Sequence, residues 1–242
     1  DLVARGYFEA VTFSFVAPEV QVHFDPELTP IPLKNPISAD LAVMRTSLIP
    51  GLLKAIAHNA SRQQSRVRLF ETGLKFIPGD GDAEQIPMLA LAVSGLRDTE
   101  GWSTEKAAAD FFDVKGTIEG LLANLGDRLT FEASVFPGLH HGQSAAILVD
   151  GKPVGRIGAV HPSVRKAMGI PANTVVTEVL QSVVTEVAMP AYDDISKYPE
   201  TRRDLALVAD TGIASAEVLS SIRTAAGPLL TKLDLFDVYE GT

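Results

Sequence analysis

Adjacent histidines at positions 140 and 141 are the side chains here best suited by type to hold a metal ion. A zinc-like centre needs several ligands converging on one point, and neighbouring side chains on an extended segment point apart. Neither histidine has an acidic residue four positions on, so the pair reads as loop structure. Asp110, Asp113, Lys115 and Glu119 gather charge near a helix start, where Asp110 suits a cap or dipole partner. Lys115 would need burial to act as a base. The glycines at 79, 81, 116, 120, 155 and 158 have neither phosphate-loop nor dinucleotide spacing. Ser47, Ser94 and Ser144 stand in no nucleophile elbow. Arg45-Thr46-Ser47 precedes a helix and can present an anion site, although capping alone accounts for Thr46 and Ser47. Taken residue by residue, no active site emerges.

Charge narrows the classes further. The chain has 242 residues and a net charge of −9, which argues against a general nucleic-acid binder acting alone. Basic residues cluster at Arg62/Arg66/Arg68 and at Lys197/Arg202/Arg203, and each cluster reads as a solvated face unless it belongs to something larger. With no cysteine, disulfides, thiolate metal sites and thiol nucleophiles are excluded, which suits a reducing cytoplasm. No apolar run approaches the roughly 18 residues of a membrane span, and the N-terminus shows no signal peptide.

The elements that must position these residues form an α+β pattern. Leu2–Gly6 reads as a last helical turn, and Val11–Val16 as a strand ended by Pro18. A helix begins near Thr46-Ser47 with Pro50 in its first turn, and Leu48, Leu52, Ile56 and Asn59 share a stripe. Strands are predicted at Val67–Ile77 and Met88–Gly95, joined by a hairpin loop at Asp80–Gln85. A second helix spans Phe111–Leu125, stopped at Gly126-Asp127. Strands follow at Thr130–Phe136, Ser144–Val149, Lys152–Val160 and Val175–Val179, with Asp150-Gly151 as a two-residue hairpin turn and His161-Pro162 opening a helix through Met168. Hairpins with interspersed helices point to an antiparallel sheet rather than a doubly wound fold. Residues 1–190 make this domain and 191–198 a linker. Residues 199–242 carry a strand at Asp204–Ala209, a helix at Ser215–Ala226 and a strand at Leu230–Tyr239. That β-α-β unit leaves a sheet edge uncovered, so the chain is expected to be cut within its second domain.

Several segments resemble the β subunit family of bacterial phenylalanyl-tRNA synthetases. They are Arg5-Gly-Tyr-Phe-Glu-Ala-Val-Thr-Phe-Ser-Phe, Asn35-Pro-Ile-Ser, Met44-Arg-Thr-Ser-Leu-Ile-Pro-Gly-Leu-Leu, Arg68-Leu-Phe-Glu-Thr-Gly, Asp110-Phe-Phe-Asp-Val-Lys-Gly, Gly158-Ala-Val-His-Pro, Arg202-Arg-Asp-Leu-Ala-Leu-Val and Leu235-Phe-Asp-Val-Tyr. They occur in family order along nearly the whole chain. The resemblance implies a class II aminoacyl-tRNA synthetase-like antiparallel sheet flanked by helices. It also implies the first half of a ferredoxin-like anticodon-binding domain. Arg5, Gly6 and Tyr7 resemble the class II interface motif and are the candidate subunit interface; Lys197, Arg202 and Arg203 are the candidate tRNA contacts.

The departures from the catalytic relatives carry the functional reading. Where the resemblance would place an ATP-gripping arginine, this chain has Leu74-Lys75-Phe76, and lysine lacks the bidentate fork. Where it would place a glycine-rich strand and a second arginine, Thr177-Glu178-Val179-Leu180-Gln181-Ser182 stands. The family's His-Pro-Gly is His140-His141-Gly142 here. Adenylate formation is mostly phosphate positioning and charge neutralisation, so no catalytic, cofactor or metal residue is expected in this chain. What the resemblance implies is a structural part of phenylalanine–tRNA ligase, packed on an α subunit in an (αβ)2 heterotetramer. That assembly would use ATP and magnesium to charge tRNA(Phe) in the cytoplasm. The rival readings are a stand-alone regulatory paralogue that binds a small ligand, and, more weakly, a hydrolase using His140 or His141.

Overall fold

Strand β5, Glu84–Gly95, explains the layering, because its run Met88–Val93 is apolar at every position and buried throughout. A strand of that kind must be covered on both faces. Leu89, Leu91 and Val93 join one core cluster, while Met88, Ala90 and Ala92 join the other, as the two-residue strand period requires. The computed structural model describes residues 1–79, 82–187, 192, 194, 195 and 197–239. The chain divides into two compact units, Asp1–Pro190 and Ala191–Thr242.

In the first unit a seven-stranded sheet runs in the order β1-β4-β5-β9-β8-β7-β6. Its strands are β1 (Phe8–Glu9), β4 (Arg66–Ile77), β5, β6 (Leu129–Ala133), β7 (Leu139–Val149), β8 (Lys152–Val160) and β9 (Thr174–Leu180). A separate ribbon pairs β2 (Phe15–Val16) with β3 (Val43–Met44). The short helix α1 covers Pro18–Gln21. Helices α2 (Ile49–Ala60) and α4 (Pro162–Met168) lie on one sheet face, supplying Ile49, Leu52, Leu53, Ile56 and Val164 to its core. Helix α3 (Phe111–Leu121) covers the other with Val114 and Ile118. Helix α5 (Gln181–Val184) follows β9 directly.

Local chemistry sets several boundaries. Asp110 caps α3 by accepting from the backbone N–H groups of Phe112 and Asp113, and the Asp113 carboxylate accepts in return from the Asp110 N–H. The turn between β7 and β8 places Asp150 and Gly151 at φ 52 and 72, the left-handed pair that a two-residue hairpin needs.

The structure corrects five expectations. The sheet is mixed, not wholly antiparallel, because β1 pairs with β4 in parallel. The strand expected over Val11–Val16 shrinks to Phe15–Val16, since the Thr12 N–H is spent on the Glu71 carboxylate and not on a ladder. The helix expected through Leu125 gives way after Leu121 to a 3-10 segment, Ala123–Arg128, broken by Gly126 at φ 54. His140 and His141 belong to β7, not to a loop. Among the described residues of the second unit only α6 (Ser215–Ala226) and a 3-10 turn form, and Asp204–Ala209 and Leu230–Tyr239 carry no strand. In a split β-α-β arrangement another strand lies between the two, so these segments have no reason to pair with each other. Part of the hairpin loop (Asp80, Gly81) and part of the linker (191, 193, 196) lie outside the described residues.

Candidate functional site

On the sheet face that carries α2, β4, β8 and β9 present Glu71, Arg156 and Glu178. Glu71 and Glu178 are each 2% exposed. Charges at that depth persist only when paired and hydrogen-bonded, and these are. Glu178 accepts from the Leu48 N–H at 2.7 Å and from the Ser47 hydroxyl at 3.0 Å. Ser47 in turn accepts from the Ile49 N–H at 3.1 Å. The N-terminus of α2 is therefore an anion site, as Arg45-Thr46-Ser47 allowed, and its occupant is a carboxylate of the same chain. Arg156 stands 3.4 Å from Glu178 and 3.3 Å from Asp25.

A second buried pair lies alongside. Arg45 meets Glu71 at 2.7 Å and donates through Nε to the Leu74 carbonyl at 2.8 Å. Thr12 donates to the other Glu71 oxygen at 2.7 Å and accepts from Arg45 at 3.1 Å. A Cβ on Gly73 would stand 2.3 Å from the Arg45 guanidinium, so only glycine lets that side chain cross β4. Gln21 bridges the two groups, accepting from the Thr46 N–H at 3.2 Å and donating to Asp25 at 3.2 Å. The array can brace α1, α2 and three strands; its donors and acceptors are directed at one another.

Lys75 shares the Glu71 side of β4 and is half-buried. Tyr7 is 2% exposed; since Thr117 donates to the Asp113 carbonyl at 2.9 Å, the Tyr7 hydroxyl donates to Thr117 at 3.1 Å. Burial pushes its phenol above the ordinary 10.0, and the Arg68 guanidinium lies 5.5 Å from its ring centroid. Arg5 is exposed with its guanidinium against Gly120, and Gly6 takes a φ of 78. Lys197, Arg202 and Arg203 are all exposed, and Arg203 bonds the Arg202 carbonyl at 2.8 Å.

His140 and His141 do not diverge as strand geometry alone predicts. Their rings lie 6.5 and 5.7 Å from that of His161, where the β7–β8 register shifts. His161 caps α4 by accepting from the Ser163 N–H. Even so, no group of three or more His, Cys, Asp or Glu among the described residues suits a metal ion. Among the described residues no helix is long and apolar enough to cross a membrane.

Sequence reasoning missed Asp25 and Arg156 as partners in the Glu178 group, and Glu71 as the partner of Arg45. The available signal was a lone charge at an inward position of an otherwise apolar strand, as in Thr174–Leu180.

A large mixed sheet carrying helices on both faces makes the first unit an α+β domain. The solved pyrrolysyl tRNA synthetase of Desulfitobacterium hafniense shares that fold at a TM-score of 0.55 and 15% identity, over 76% of this chain and 61% of its own. Residues 1–180 match the family model described as phenylalanyl tRNA synthetase beta chain CLM domain, and residues 196–242 match the ferredoxin-fold anticodon binding domain. The chain belongs to the phenylalanyl-tRNA synthetase β-chain family. It is 50% identical to the phenylalanine–tRNA ligase beta subunit of Pseudomonas putida and 48% identical to that of Vibrio cholerae, in each case over 99% of this chain. It spans 30% and 31% of the length of those relatives.

Proposed function

We propose that this chain is the structural, non-catalytic part of a phenylalanine–tRNA ligase β subunit. In this reading it packs on an α subunit within an (αβ)2 assembly and positions the anticodon-binding domain on tRNA(Phe). The α subunit performs the ATP- and magnesium-dependent joining of phenylalanine to tRNA, in the cytoplasm. Residues 1–190 form the scaffold and 191–198 the linker, and residues 199–242 contribute to the ferredoxin-like anticodon-binding domain. Arg5 and Gly6 lie at the subunit contact, with Tyr7 anchoring that segment from inside. Lys197, Arg202 and Arg203 touch the tRNA backbone.

The observation that carries the non-catalytic half is Glu178. A carboxylate in the α2 N-terminus, beside a β4 that offers Lys75, repels the phosphates that a nucleotide site must attract. The test is phenylalanine-dependent exchange of pyrophosphate into ATP. The β subunit alone should give none and the α–β complex should give a robust rate. Exchange by β alone would sink the proposal.

A further inference from the structure

The loop that joins β5 to α3 carries the chain's single tryptophan, Trp102, fully exposed. An indole left in water forgoes the burial that usually holds this side chain inside. The loop around it is nevertheless tied. Leu96 bridges Ala108, and the Arg97 N–H donates to the Ala107 carbonyl at 2.9 Å, closing the base. Lys106 meets Glu100 at 3.0 Å. The Thr104 hydroxyl lies 3.1 Å from the carbonyl oxygens of Thr99 and Gly101, and a Cβ on Gly101 would stand 2.9 Å from it. Polar atoms of the loop thus hold the turn and leave the indole uncovered. The base of the loop also joins the segment that the proposed subunit contact uses. Its Arg97 carbonyl accepts from Arg66 and Arg68, at 3.4 and 2.7 Å. Arg66 in turn lies against Gly6, and Arg68 lies over the Tyr7 ring. Phe8 follows on β1 and is exposed.

We propose that Trp102 is an anchor of the contact with the α subunit, filling an apolar pocket with a basic rim on that partner. Aromatic residues and arginine are what protein interfaces concentrate, and a few such side chains carry most of the binding energy. A turn tied in advance spares part of the ordering cost of association. Charge decides between a protein and an RNA, on whose bases an indole could also stack. Aromatic platforms for bases sit in positively charged grooves. Residues 97–106 hold three acids against two bases. Both bases are engaged, Arg97 by Asp110 and Asp113 and Lys106 by Glu100. A loop of that sign repels phosphate and suits lysine or arginine around the receiving pocket. The inference rests on the reading of this chain as part of a ligase β subunit and deepens it, adding to Arg5, Gly6 and Tyr7 a residue far from them in sequence.

The test uses the full-length β subunit and its α partner. Trp102→Ala and Trp102→Phe should each melt like the parent when β is alone, because a fully exposed side chain supports nothing inside the fold. In sedimentation of the mixed subunits, Trp102→Ala should weaken α–β affinity by roughly 30-fold or more, and Trp102→Phe should keep most of it. Glu105→Lys should slow association at low salt, with the difference shrinking at high salt. The emission that the parent has and Trp102→Phe lacks should be that of a solvated indole in β alone and should shift to the blue when α is added. Unchanged affinity in Trp102→Ala would overturn the anchor. So would loss of tRNA(Phe) binding with α–β assembly intact, which would assign the loop to RNA. A complex that assembles through Trp102 but never charges tRNA(Phe) overturns the functional reading instead and leaves the anchor standing.

Discussion

The Glu178 carboxylate accepts a 2.7 Å hydrogen bond from the Leu48 N–H, across 130 residues of chain. One side chain of β9 thus closes the N-terminus of α2 and gives Arg156 one of its two carboxylate partners. Replacing it by alanine strands the buried backbone donor that the carboxylate satisfied and leaves the half-buried Arg156 with Asp25 alone. Glu178→Ala should cost about 3–5 kcal/mol in urea denaturation. Glu178→Gln, which retains an acceptor for Leu48, should cost less. An alanine variant as stable as the parent would show that the pairing is incidental.

Arg45 and Glu71 form a pair whose side chains are each 3% exposed, so they should be strongly coupled. Either single change, Arg45→Met or Glu71→Leu, should destabilise by roughly 3 kcal/mol, because the remaining charge is left buried and alone. The double variant should lose less than the sum of the singles. Strict additivity in a double-mutant cycle would contradict the pairing.

Gly73 answers for the same contact by a different route. Gly73→Ala puts a methyl 2.3 Å from the Arg45 guanidinium and should displace that side chain from Glu71. The expected loss is about 1–3 kcal/mol, and Arg45→Met should largely absorb it. Equal penalties in both backgrounds would mean that the clash lies elsewhere.

Gln63, in the turn that follows α2, takes a φ of 61, with its N–H bonded to the Ala60 carbonyl at 2.9 Å and the Gln64 N–H to Asn59 at 3.3 Å. This is the left-handed position that glycine normally fills. Gln63→Gly should raise stability by about 1 kcal/mol, seen as a higher urea midpoint at unchanged slope. A fall in the midpoint would contradict strain at this residue.

Tyr7 sets an alkaline limit. Burial holds its phenol above 10.0, so the unfolded chain gives up this proton at lower pH than the folded one. Its contribution is complete below that unfolded value and is lost as pH rises through the folded pKa. Thermal melts above pH 10 should therefore fall more steeply for the parent than for Tyr7→Phe. Parallel curves would show that the hydroxyl is not protected.

How far the sequence carried depends on whether a signal was local. The α2 stripe, the Asp110 cap and the Asp150-Gly151 turn were legible because each is written in a few neighbouring residues. The parallel pairing of Phe8 with Leu69 was not, since partner choice across sixty residues leaves no periodic trace. Thr12 has the propensity of a strand residue, and tertiary hydrogen bonds to Glu71 took its backbone out of the ladder. Ser47 reads locally as a plain cap; the anion that completes that site lies on another strand and could be found only in three dimensions. In the second unit the propensities of Asp204–Ala209 and Leu230–Tyr239 favour strands, but extended segments need partners before they form a ladder.

The carboxylate held in α2 also has a consequence for linkage. A soluble anion bound there would make the fold's stability rise with that solute's concentration. Because Glu178 is tethered, its effective concentration is fixed by the chain itself. The domain should keep one melting temperature at this point of its structure whatever phosphate-bearing metabolites surround it.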